Sequence, residues 1–296
     1  MKLKLIIILG GLAAGIVLVR GPVVCGNTVK IFYSDGVIQQ GDGYDRVEVY
    51  DTPPSHTTVN MTGGYVGRLP VVDTGLYTYD ASIVNISGGI VEYLHTNNSS
   101  TVNISGGVVG SLWTPFGETT ISSQDESTIN VYEGGLLFGG SFAFFYMFDL
   151  STLNVYGGGI DSFLISFNPS VVNIYDGSLS MVELGGPVNI YGGRIGGAFP
   201  SSFYSTVNIY GYDFVYEPHW YKTPPDDIIR GEQWVSRLTG MGLYGVPISI
   251  IDLPDPAINP NIHLIPEPGT MLLLALGGLL CAGTDGTEKI RKMTRR

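Results

Sequence analysis

The chain has 296 residues, with 15 Lys and Arg against 26 Asp and Glu for a formal net charge of −11, and it contains 42 glycines, 18 tyrosines and two cysteines. The acidity excludes nucleic acid and anionic membrane surfaces as natural partners, since both repel it. Cys25 and Cys281 both fall in terminal segments, so the body between them must be held by packing without a disulfide.

At the N-terminus, Lys2 and Lys4 precede fifteen uncharged apolar or glycine residues, Leu5 to Val19, and Arg20-Gly21-Pro22 ends the run. A basic start followed by a short apolar stretch predicts a secretory signal peptide over residues 1–25, removed by a signal peptidase, with an uncleaved anchor as the alternative. Residues 26–57 then hold two short strand patterns, Val29 to Tyr33 and Arg46 to Tyr50, expected to form an N-terminal cap.

Residues 58–211 carry an internal repeat. Val-Asn-Ile or a close variant recurs around Asn60, Asn85, Asn103, Asn130, Asn154, Asn173, Asn189 and Asn208, followed by Ser, Thr or Tyr and usually by a glycine pair. The eight asparagines span 148 residues in seven intervals, a mean of about 21, within the range of solenoid repeats. Within a unit such as Ser-Thr-Val-Asn-Ile-Tyr, β-branched residues alternate with polar ones, which is the period of a strand with one face inward. The glycines suit a sharp corner, and a second short apolar piece follows, for example Ile90-Val91 or Val108-Val109. The expected fold is all-β: a single-stranded parallel β-helix of about eight or more coils, one coil per repeat, with unequal spacings taken up as insertions at the corners.

Two files of side chains follow from that register. Parallel in-register strands lie about 4.8 Å apart, so the eight asparagines are expected to form a structural ladder of hydrogen-bonded amides. Asn60, Asn85, Asn98 and Asn103 also lie in Asn-X-Ser/Thr sequences, which the repeat itself produces. On the asparagine side of the strand stand Tyr132, Tyr156, Tyr175, Tyr191 and Tyr210, replaced by Thr62, Ser87 and Ser105 in the first three copies. If exposed, the five rings make a flat candidate glycan-binding ribbon; otherwise they are an aromatic ladder between strands.

Catalytic signals are weak. Polysaccharide lyases and hydrolases are built on β-helices, but fold alone carries no activity. Residues 26–268 hold only seven Lys and Arg against 24 Asp and Glu, a formal charge of −17, leaving few cations for a lyase site. Glu133 and Asp176 share a repeat position two coils apart, about 10 Å, a tolerable separation for a two-carboxylate hydrolase. His56, His95, His219 and His263 have no ligand spacing, and Gly157-Gly158-Gly159-Ile160-Asp161 is a single copy of a calcium-type turn, so neither a metal nor a cofactor is expected.

Beyond Tyr210 the composition shifts toward Pro, Trp and charge, with Trp220, Pro224-Pro225-Asp226-Asp227, Trp234 and the strand-like Val246 to Leu253. Residues 212–254 are read as a C-terminal cap and 255–265 as a proline-rich linker. The chain ends in Pro266-Glu267-Pro268, an apolar run from Met271 to Ala282, and the cations Lys289, Arg291, Lys292, Arg295 and Arg296. Twelve apolar residues rise about 18 Å as a helix, too short for a durable span of the hydrocarbon core. This order over residues 266–296 resembles the PEP-CTERM sorting signal, from which Asp285 and Glu288, ahead of the cations, are a departure. The resemblance implies a bacterial protein held briefly in the inner membrane, basic end in the cytoplasm. It also implies an exosortase, which cuts near the Pro-Glu-Pro and passes the chain to the cell surface or extracellular matrix. The sequence therefore leads to an exported, non-enzymatic structural or adhesive protein with weak exopolysaccharide binding at most; the alternative is a polysaccharide lyase or hydrolase.

Overall fold

The computed structural model describes residues 28–67, 74–110, 119–138, 144–167, 169–196, 198–200, 206–221, 233–251 and 261–266. The expected signal peptide, Pro224 to Asp227, Glu267, Pro268, the apolar run and the five terminal cations lie outside them. Among the described residues there is no helix, and hence none long and apolar enough to cross a membrane. The twenty-two strands among the described residues belong to one hydrogen-bonded network, parallel except at its C-terminal end.

The strands fall into three parallel ladders that the chain visits in a fixed order. The first contains the Val-Asn-Ile segments: Gly36–Ile38 pairs with Thr58–Val66, then Ile83–Val91, Thr101–Val109, Thr128–Val131, Thr152–Ser166, Val171–Leu184, Val188–Ile190, Val207–Tyr221 and Ile262–Pro266. The second contains the short pieces after the glycines, in register through Val66, Val91, Val109, Leu137, Ile160, Leu179, Ile195 and Ile250. The third starts at Val29–Phe32 and runs through Val47, Leu76, Leu94, Ile121, Phe145 and Leu164.

Alternation along each strand sends one set of side chains inward, and these meet in a single core. The Val and Ile flanking each asparagine are at most 1% exposed, and the second-ladder residues from Val66 to Ile250 and the third-ladder residues from Val47 to Leu164 named above are at most 2% exposed. The corner from third ladder to first takes one form at four successive places. Its apex is Asp80, Asn98, Asp125 or Asp149, each with φ between 52° and 57°, a left-handed conformation that short polar side chains tolerate. Two residues later a serine returns its N–H to close the turn, as Ser100 does to the Asn97 carbonyl at 3.2 Å.

The N-terminal flank differs from the sequence expectation. Val29–Phe32 and Arg46–Val49 pair in parallel with each other, and the latter pairs with Gly75–Thr78, so they extend the third ladder instead of covering its end. They lack the Val-Asn-Ile signature because only first-ladder strands carry it. Past Tyr210, Val207–Tyr221 folds back antiparallel on Gln233–Gly242, which pairs antiparallel with Pro247–Ile251. The last of these rejoins the second ladder in parallel at Gly193–Ile195. Part of the expected linker is strand: Ile262–Pro266 closes the first ladder against residues 207–211.

Candidate functional site

The first ladder fixes the outward residues in files. Asn85 donates its Nδ2 hydrogen to Asn60 Oδ1 at 2.9 Å, and Asn103, Asn130, Asn154, Asn173, Asn189 and Asn208 each do the same to the preceding asparagine at 2.8–2.9 Å. Every interior amide thus accepts from one side and donates to the other, with all the dipoles aligned. Val37 stands opposite Asn60 at one end of the file and His263 opposite Asn208 at the other. Asn130→Ala removes two of these bonds and is expected to lower stability by about 1–2 kcal/mol, against less than about 1 for Asn60→Ala at the end. Asn130→Asp keeps the shape but has no N–H for Asn103 Oδ1, so denaturant titration should find it no milder than the alanine.

Beside this file the five tyrosines stack. Ring centroids are 5.2 Å apart for Tyr132 and Tyr156, 4.8 Å for Tyr156 and Tyr175, 4.8 Å for Tyr175 and Tyr191, and 4.6 Å for Tyr191 and Tyr210, with interplanar angles of 7–12°. Parallel rings this close cannot lie side by side in one plane, because their edges would overlap. They are offset-stacked, and this corrects the flat ribbon: interior ring faces cover each other, leaving edges and hydroxyls outward. Burial among its neighbours, then the adjacent phenols, pushes the Tyr156 hydroxyl above its ordinary pKa, and likewise that of Tyr191.

A second aromatic group lies on the third ladder. Tyr50 stacks between Tyr33 and Tyr79 at 5.4 and 4.7 Å, and its hydroxyl donates to Glu48 Oε2 at 3.0 Å. Glu48 in turn pairs with Arg46 at 2.6 Å, whose guanidinium lies 4.2 Å from the Tyr77 ring centroid. Burial and then the Glu48 carboxylate push the Tyr50 phenol up to about 12. A folded pKa above the unfolded value favours the protonated native state. The contribution is complete below pH 10 and disappears as pH rises toward 12. Melting temperatures should therefore fall over that window, and more shallowly in Tyr50→Phe.

The other sequence candidates form no enclosed site among the described residues. Glu133 and Asp176 are both exposed at glycine corners, where neither is enclosed as a two-carboxylate mechanism requires of its acid. Asp161 accepts from the Ser180 hydroxyl of the next strand at 2.7 Å. His56 contacts Asp51 at 3.2 Å and His95 contacts Ser122 at 2.7 Å. No group of His, Cys, Asp and Glu among the described residues is arranged to hold a metal.

Sequence reasoning missed a third file, of buried hydroxyls. Ser82, Ser100, Ser127, Ser151 and Ser170 stand three residues before an asparagine of the ladder and are fully buried. Ser100 contacts Thr78 at 2.8 Å, while Ser127 contacts Thr96 at 3.1 Å and Ser123 at 2.8 Å. The signal was present in the sequence, since serine recurs at that offset.

No protein-family model matches the chain, and no curated protein or solved structure was found to resemble it. The arrangement of side chains is thus the ground on which function can be argued.

Proposed function

We propose that this is an exported, non-enzymatic β-helical rod, one chain winding through the three ladders in turn, that serves as a structural or adhesive element of a bacterial surface or exopolysaccharide matrix. The observation that carries the reading is the state of the outward files: amides bond to amides along all eight copies of the repeat, and ring faces to ring faces along the last five. A surface that satisfies itself in this way favours a stiff spacer over a cleft, and leaves weak contacts through tyrosine edges and hydroxyls for a polysaccharide.

The tail supplies the address. Pro266 is the last residue of the last described strand of the first ladder, opposite Gly211, so the Pro-Glu-Pro motif begins at the end of that strand. Cutting near it by an exosortase would free the stack without removing a ladder strand, and residues 271–282 would hold the chain in the membrane only beforehand.

Mass spectrometry of the surface-associated chain tests the address: a protein lacking both residues 1–25 and the apolar tail is expected, and one that keeps the tail contradicts the sorting. Affinity electrophoresis through the host's own exopolysaccharide tests the role. At most slight retardation is expected, with no new reducing or unsaturated ends; appearance of such ends would make the protein an enzyme.

A further inference from the structure

Asn-X-Ser/Thr sequences occur in the described residues at Asn60, Asn85, Asn97, Asn98 and Asn103, and the structure treats them unequally. Asn85 and Asn103 are committed on both sides to the amide file. Asn60 accepts from Asn85 within a nine-residue strand that is paired on both edges. A saccharide on Asn85 or Asn103 would crowd the amides stacked about 4.8 Å above and below it, and one on Asn60 would crowd such a neighbour on one side. Asn97 is half-buried, and both its backbone N–H and its Nδ2 donate to the Thr78 carbonyl, at 3.0 and 3.3 Å.

Asn98 stands apart. It is the exposed apex of the third-to-first corner, with φ 55°, while the hydroxyl of its sequence belongs to Ser100, which in the folded corner is buried against Thr78 at 2.8 Å, so transfer must precede closure of this corner. Its Oδ1 accepts the Asp80 N–H at 3.2 Å, while its Nδ2 makes only a long contact, 3.4 Å, with Asp125 Oδ2. A shallow groove of about 530 Å³ opens alongside, lined by Ser99, Asp125, Asp149, Leu150 and Pro169. A glycosylated amide keeps one N–H, so the Asp125 contact can survive the addition, and the groove carboxylates can accept bonds from sugar hydroxyls.

We propose that Asn98 is an N-glycosylation site, receiving a saccharide from a polyprenyl-diphosphate-linked donor outside the cytoplasm. Asn98 Nδ2 forms the bond to the anomeric carbon and the carbon–oxygen bond to the diphosphate breaks. The lipid diphosphate leaves with the electron pair, and the amide gives one proton to a base of the transferase. The assignment rests on the chain being exported.

The test uses the full chain produced in its native host, fractionated into cytoplasmic and exported pools. Intact mass and fragmentation of the peptide containing Asn97 and Asn98 should show a saccharide increment placed on Asn98 in the exported pool. The increment should vanish in Asn98→Asp and persist in Asn97→Gln. Aspartate occupies the same corner with the same φ at positions 80, 125 and 149, so the first variant is expected to fold. An exported wild-type chain unmodified at Asn98, or an increment that survives Asn98→Asp, overturns the proposal while leaving export standing. An unmodified chain retained in the cytoplasm overturns both.

Discussion

Replacing Phe145 by alanine is expected to destabilise the chain by about 3–5 kcal/mol, read as a fall in the denaturant midpoint at unchanged slope. The ring is fully buried in the third ladder, with Ile121 on one neighbouring strand and Leu164 on the other at the same register. Removing it withdraws contacts from both, and the stacked backbones on either side cannot collapse into the space without breaking their pairing. In a stacked architecture stability is close to a sum of nearest-neighbour terms, so the loss falls on one junction and can uncouple the strands before it from those after. Tyr146, the next residue, provides the control. It points outward and stacks on Phe144, Phe148 and Phe167 at 5.7–6.2 Å, and Tyr146→Ala should cost about 1 kcal/mol. Equal effects at the two positions would mean that the third ladder does not close over a core.

The contrast between Phe145 and the Val-Asn-Ile strands shows what was legible in the sequence. The first ladder is readable because its strands repeat one motif with strict alternation, and the asparagine file follows from register alone. The second ladder is nearly as regular, with Val66, Val91, Val109, Ile160, Leu179 and Ile195 each six residues after an asparagine. The third shares no motif, and its residues are chosen only for filling space: Val47, Leu76, Leu94, Ile121, Phe145 and Leu164. Its spacing was nonetheless constant on one side over its five middle strands, though not at Val47, which precedes Val59 by twelve residues. Leu76, Leu94, Ile121, Phe145 and Leu164 each precede the first valine, isoleucine or leucine of the next repeat by eight residues, at Val84, Val102, Ile129, Leu153 and Val172. Most of the length variation therefore sits at one corner, between second and third ladders, where Val91 to Leu94 takes three residues and Val109 to Ile121 takes twelve. Averaging over whole repeats hid that asymmetry. The tyrosine file was visible as a file, but its ring orientation was not, because a repeat position fixes where a side chain starts and leaves its χ angles to the packing of neighbouring rings.

Gly158→Ala is the second substitution expected to have a large effect, about 2–5 kcal/mol, combining a left-handed backbone with crowding. Gly158 has φ +73°, and a methyl group there would stand 2.4 Å from the Gly135 carbonyl oxygen and 2.6 Å from that of Tyr132. Both obstacles are backbone, so no rotamer change relieves them, and the preceding strand must move. Gly41 separates the two causes. Its φ is +99° but nothing lies within 4 Å of the added methyl, so Gly41→Ala should cost only the conformational part, about 1–2 kcal/mol. The site makes a further readout available, since Gly158 follows Tyr156 by two residues and one of the two crowding oxygens belongs to Tyr132, these being the two rings that begin the stacked file. Displacing one strand against the other slides these rings apart, so Gly158→Ala should weaken the near-ultraviolet circular dichroism of the stacked tyrosines even where the far-ultraviolet strand signal persists. Gly41→Ala should leave both signals intact. If the two alanines prove equally mild and the tyrosine signal is unchanged in each, the close approach of backbones at this corner, and with it the register that stacks the rings, is wrong.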